Sequence, residues 1–276
     1  MTAPAVVVSD FHDQGFLLNR SEVAALIAIT GRRILRFVDG GLGLIGIGDD
    51  IALGTQLLIS RGLMEPSDAS PVGIIAGKFL VAFFQVVDRR TSSIEIRMNS
   101  LDPGVQVSHW SMRCEEDLAI VRSEFDLGVS KFWFGILSAD WQGRFVDALV
   151  KPQAPQREAL ENCVVGLGYD DYSRLFRAVR TRDWDLIERR LSELSVDDAS
   201  RHEFSRLLVE EFRGVEITRQ DHNESWIEAE QLTWLESPRF GFWEMTRFPV
   251  ESRVQFASRT SSEIEKRYAG VTGRAQ

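Results

Sequence analysis

Gly41, Gly43 and Gly46 stand at the spacing of the loop that cradles a dinucleotide pyrophosphate. That chemistry needs a buried strand before the loop and a helix opening on the third glycine. It also needs an acidic residue about 20 positions on to hold the ribose hydroxyl. Before the loop stand Arg32, Arg33 and Arg36, too much charge for a central parallel strand. The next helix opens at Asp49 and Asp50, whose carboxylates would repel a pyrophosphate, and Glu65 lies in a turn. Residues 40–48 therefore read as a loop, and no cofactor is expected.

The other reactive side chains are dispersed. His12, His109, His202 and His222 lack the HxxxH or HExxH spacing that sets two metal ligands on one helix face. His202 and Glu203 are helical neighbours and point apart, and His109 beside Trp110 reads as a packed strand residue. No GxSxG elbow offers a nucleophile. The carboxylate runs Glu115, Glu116, Asp117, then Asp170, Asp171, then Asp197, Asp198 sit at element boundaries, where caps and turns employ them. Cys114 and Cys163 lack CxxC spacing, so neither a zinc site nor a disulfide scaffold is indicated. No catalytic, cofactor or metal-binding residue is assigned, and the chain reads as a non-enzyme.

A strand over residues 226–235 offers different chemistry. Alternation sets Ile227, Ala229, Gln231, Thr233 and Leu235 on one face and Trp226, Glu228, Glu230, Leu232 and Trp234 on the other. The second face mixes large apolar groups with carboxylates, as the centres and rims of protein contacts do. Trp226, Glu228, Leu232 and Trp234, with the helices around 184–212, are the expected partner-binding surface.

The elements that must hold these side chains are marked by caps and periodicity. Asn19 caps a helix with Glu22 three residues on and Val23, Leu26 and Ile27 on its apolar face, until Gly31 stops it. A second helix runs from Asp49 or Asp50 to Arg61 and Gly62. Ser70 and Pro71 open a third, with Val72, Ile75, Phe79 and Phe83 at helical spacing. From Ser93 the period becomes two, through Ile94, Ile96, Met98, Val105 and Val107. Lys151, Pro152 and Pro155 mark a linker. Beyond it, Tyr172, Leu175, Phe176 and Val179 form one helical stripe, Trp184, Ile187, Leu191 and Leu194 a second, and Phe204, Leu207, Leu208 and Phe212 a third. A second run of strands begins at Val215.

The chain is thus written twice. Strand, turn, aromatic strand and helix over 117–150 return over 225–268, each copy preceded by helices. Two halves, 1–150 and 151–276, are expected to share one sheet as a single compact unit, with an α+β fold. At 276 residues and 44% hydrophobic content the chain can bury so large a core. Against 32 basic side chains stand 41 acidic ones, a net charge of −9, which opposes non-specific binding to nucleic acid or an anionic membrane. No apolar run approaches the roughly 18–20 residues of a membrane span, and the start of the chain lacks a basic n-region. A cytoplasmic protein without membrane insertion is expected.

This organisation resembles the EspG family, cytoplasmic chaperones of actinobacterial type VII (ESX) secretion. The likeness runs from a strand and helix at 16–30 through a helix ending Leu58, Ile59, Ser60, Arg61, Gly62, Leu63 and another helix at 71–87. It continues through a β-meander, closing helix and linker to a second half in which helices bearing Arg201, His202, Glu203 and Phe204 lead to another meander and helix. The glycine-rich loop and the tryptophan-rich second meander depart from the family pattern. The resemblance implies a central antiparallel sheet flanked by two helical bundles with quasi-twofold symmetry. It also implies a non-enzymatic role, binding PE–PPE heterodimers and keeping them soluble for secretion. The alternative is a transcriptional regulator or ligand-sensing protein built around the Arg61–Gly62 helix end, and a hydrolase stands third.

Overall fold

The computed structural model describes residues 16–30, 48–68, 73–77, 80–81, 90–99, 106–114, 118–125, 129–136, 141–157, 159–210, 212–222 and 227–273. In chain order these form β1 (Phe16–Leu18), α1 (Arg20–Thr30), α2 (Gly48–Ser60), β2 (Met64–Pro66) and β3 (Ile74–Ala76). Next come β4 (Arg90–Asn99), β5 (Gln106–Cys114), β6 (Leu118–Phe125), β7 (Val129–Ile136) and α3 (Trp141–Val150). Then follow β8 (Val164–Gly168), α4 (Tyr169–Thr181), α5 (Trp184–Ser192) and α6 (Asp198–Val209). The last are β9 (Arg213–His222), β10 (Ile227–Ser237), β11 (Gly241–Phe248), β12 (Arg253–Arg259) and α7 (Ser261–Val271).

The fold is α+β. Hydrogen bonding orders ten strands as β1-β7-β6-β5-β4-β9-β10-β11-β12-β8, with β2 and β3 a separate ladder. Every pair with a described register is antiparallel. A four-strand meander occurs twice, and each time its last strand, β7 or β12, pairs a short strand from earlier in the chain, β1 or β8. The pairing shifts the repeat by one strand from the sequence layout: β6 and β7 precede α3, but β11 and β12, not β10 and β11, precede α7.

The chain divides into two compact units, one of Met1–Glu95, Val107–Phe145 and Gln220–Ala229, the other of Ile96–Gln106, Val146–Arg219 and Glu230–Gln276. In the first unit, Asn19 and Glu22 open α1 reciprocally. Glu22 N donates to Asn19 Oδ1 at 2.9 Å and Asn19 N to Glu22 Oε2 at 2.8 Å. Glu22 is buried, and its other oxygen accepts from Arg61 Nη1 at 2.6 Å. Gly62, at φ +67°, takes the left-handed turn that lets Leu63 N reach Leu58 O at 2.9 Å and close α2. Gly54 faces α1 so closely that a β-carbon would overlap the Ser21 carbonyl.

The helix expected over 71–87 is corrected at its start: Ile74–Ala76 is strand β3, paired with β2. Gly73, at φ +71°, turns the chain, and Ser67 N closes the hairpin on Gly73 O at 2.9 Å. The β-branched Ile74 and Ile75 suit a strand better than a helix.

In the second unit both sheet faces are covered. Leu235, Trp243, Met245, Val254 and Phe256 face one way and pack with Val165 and Leu167 of β8 under Leu175, Val179, Ile187, Leu191, Phe204, Leu207 and Leu208 of α4–α6. Phe204 is the centre, its ring 4.9 Å from Phe256 and 5.1 Å from Trp243. The alternate residues Leu232, Trp234 and Phe242 are buried on the opposite face. There Tyr268 of α7 meets Trp234 edge-on at 6.4 Å and donates its hydroxyl to Asp147 at 2.7 Å. The segment marked as a linker is tied down: Pro152 is buried and Gln156 N donates to Pro238 O at 2.6 Å.

Candidate functional site

Strand alternation distributed the 226–235 side chains between two faces, and the structure buries both near the strand's end. Trp226 lies outside the described residues, and Glu228 lies on β10 with its side chain outside them. Leu232 is 2% exposed and Trp234 0%. Trp234 Nε1 donates to Glu236 Oε2 at 3.2 Å. Glu236 also accepts from Arg213 at 2.8 Å and from Gln153 N at 3.4 Å. Opposite Trp234 on β11 is Glu244, 5% exposed, which accepts from Arg259 Nε at 2.8 Å and from Arg267. Leu232 and Trp234 are thus corrected from contact anchors to core. An anchor must be open to its partner, and α7 already covers this face.

Exposed apolar surface instead appears where α4 and α6 end and α5 begins. A cleft of about 490 Å³ is walled by Val179, Trp184 and Val209, with Pro238 and Arg239 of the β10–β11 turn opposite. Trp184 is 39% exposed and Val209 46%. Sequence periodicity placed Trp184 in a packing stripe with Ile187 and Leu191. Those two are buried, but Trp184 begins α5 directly after its cap and projects past the bundle. Asp183 fixes that start by accepting from Leu186 N at 3.1 Å. Arg182, also lining the cleft, holds a left-handed backbone at φ +55°. That conformation is the C-cap of α4, with Arg182 N donating to Val179 O at 3.1 Å. Arg239 pairs with Glu210 at 3.3 Å across the rim. An aromatic wall, aliphatic neighbours and a charged rim suit the burial of a partner's side chain.

A second hollow holds Asp198, His202 and Ser205 on one side of α6. His202 forms no hydrogen bond to either among the described residues, and Asp198 is engaged by Arg201. No nucleophile–base pair is assembled there. Among the described residues no group of three or more His, Cys, Asp or Glu could hold a metal ion. Burial raises the Tyr172 phenol above its ordinary pKa, against the pull of Arg247 and Arg180. The glycine loop with Gly41, Gly43 and Gly46 lies outside the described residues. Arg61 and Gly62, the helix end on which a regulator would be built, serve as partner to Glu22 and as helix terminator. No described helix is long and apolar enough to cross a membrane.

No family model matches the chain, and no curated protein is found similar to it. Among solved structures, it is similar to the Mycobacterium tuberculosis type VII secretion system chaperone EspG5, solved in complex with a PE25–PPE41 dimer. The identity is 9% and the TM-score 0.48, over 95% of this chain and 97% of that one. A peroxisomal multifunctional enzyme type 2 from Drosophila melanogaster matches at 8% identity and a TM-score of 0.13, over 89% of this chain and 48% of that one. At similarities this low, what those proteins bind or catalyse describes them alone.

Proposed function

We propose that this chain is a non-enzymatic cytoplasmic chaperone. Its partner is a PE–PPE-type helical heterodimer, kept soluble for type VII secretion. The observation that carries the reading is the repeated chain order: helices, a four-strand meander closed by an earlier short strand, then a helix, twice over. The sequence resembles the EspG family on the coarser order of helices, meander and closing helix, and quasi-twofold symmetry of two helical bundles about the sheet belongs to the same proposal. The cleft at Trp184 and Val209 supplies the partner surface, in place of the buried Leu232 and Trp234. Partner contact through Trp226 and Glu228, which belong to the other compact unit, stays a separate proposal.

The test is co-expression with PE–PPE pairs, followed by size exclusion. One stable ternary complex is expected. Trp184→Ala should leave the melting temperature nearly unchanged and weaken the complex by about 2 kcal/mol, roughly thirtyfold in Kd. A folded chain that co-elutes with no PE–PPE pair defeats the reading. Full binding by Trp184→Ala defeats the site.

A further inference from the structure

Most arginines of the second unit are occupied by carboxylates of the chain. Arg157 and Arg206 hold Glu203, Arg213 holds Glu236, and Arg259 and Arg267 hold Glu244. Helix α4 carries several that are not, as α5 does at Arg189. Arg174, Arg177 and Arg180 are all exposed, and at 3.6 residues per turn they fall within an arc of about 120°, over roughly 9 Å of helix. The opposite side of the helix, with Leu175, Ala178 and Val179, is buried. Arg182 follows in the exposed turn. Arg174, Arg177 and Arg182 form no ion pair among the described residues, and Arg180 has only the distant influence of Tyr172. Asp170, in the first turn of α4, is the acidic member of this exposed face.

We propose that the arginine face of α4 binds an acidic helical segment of a protein partner. Three guanidinium groups at three-residue steps match carboxylates repeating every three or four residues on one helix face. Each pair can be bidentate, which an ammonium group cannot reproduce. Asp170 gives the stripe a direction, since the partner's acidic run must end before it. The chain's net charge of −9 opposes an extended polyanion, so a short acidic segment fits this stripe better than nucleic acid or an anionic bilayer. The inference holds for any acidic partner and does not rest on the chaperone reading.

The test uses the full chain and a fluorescent alanine-based helical peptide with Glu at every third or fourth position. Its Gln analogue, vesicles containing phosphatidylserine, and single-stranded DNA are the comparison probes. The Glu peptide should bind, more weakly as salt rises, and the Gln analogue should not. Arg174→Glu with Arg177→Glu should weaken peptide binding at least tenfold without changing the melting temperature. The corresponding Lys pair should retain part of it. Lys266→Glu, at an exposed position of α7, lowers the net charge without touching the stripe and should leave binding nearly intact. The proposal is overturned if the native chain ignores the Glu peptide, or if the double reversal binds it normally. It is equally overturned if Lys266→Glu does as much damage per charge, or if vesicles or DNA use these arginines and the peptide does not.

Discussion

Trp234 and Trp184 are the same residue type with opposite fates, and their neighbours decide between them. Trp234 is enclosed by Tyr268 and spends its one donor on Glu236. Trp234→Ala should therefore destabilise the protein by about 3–5 kcal/mol in denaturant unfolding. Near-native stability would return it to the surface. Glu244 is buried between Arg259 and Arg267, both partly exposed. Glu244→Gln removes the shared charge while water still reaches both arginines, so a loss of about 1–3 kcal/mol is expected, short of the full penalty of a buried orphan. Gly54→Ala is a test of sign. In an open helix the change would stabilise by about 1 kcal/mol. Here the added methyl meets the Ser21 carbonyl, so a lower melting temperature is expected.

Helices were legible in the sequence because their caps and stripes are local. Asn19 with Glu22, Gly62, and the Leu175–Val179 and Phe204–Leu208 stripes all stand where they were expected. Several strands were not, and Glu65, read as part of a turn, lies in β2 paired with Ile75. β8 reads Val-Val-Gly-Leu-Gly, and two glycines in five residues erase the strand signal that its pairing with β12 supplies. In β12, Val254 and Phe256 alternate correctly, yet the strand is short and bounded by Arg253 and Arg259, so it passed for a break. Ile74–Ala76 failed differently: apolar spacing there suits helix and strand alike, and the positive φ of Gly73 decides. The candidate site was legible only in part. Alternation can sort β10 into faces, but which face stays open depends on α7, some 30 residues on. At the start of α7, Thr260 and Glu263 form a reciprocal cap. The Thr260 N–H, then its hydroxyl, hold the Glu263 carboxyl below its ordinary pKa, and Ser200 N–H does the same for Asp197 at α6. A lowered native pKa gives stability that is full above the ordinary carboxylate range and lost as pH falls through the lowered value. Amide protection factors in the first turns of α6 and α7, taken relative to the unfolded chain at each pH, should therefore fall in acid and not toward alkaline pH. Thr260→Ala should cost about 1 kcal/mol and weaken that acid dependence in α7 alone, since the backbone N–H at 260 still reaches Glu263.

For the molecule as a whole, the division at 150 and 151 is a matter of chain order, whereas packing ignores it. Ile96–Gln106 cluster with the later residues, and Arg97 pairs with Glu216 at 3.4 Å. We propose that residues 1–151 and 155–276 do not fold when expressed apart, since each fragment would leave a strand edge unpaired. Insoluble or non-cooperatively melting fragments are expected. Two soluble halves with sharp unfolding transitions would make each an autonomous domain.

The pairing of β8 with β12 sets a timetable for synthesis. β8 leaves the ribosome about 90 residues before the strand that completes it, a delay on the order of ten seconds at about 5–20 residues per second. Through that interval α4–α6 exist without Trp243 or Phe256 to cover them, so their inner faces are exposed on a nascent chain. Completion of this core must therefore await the synthesis of β12. Slowing elongation between β8 and β12 should lower the soluble yield, while the same pause placed after β12 should leave it unchanged.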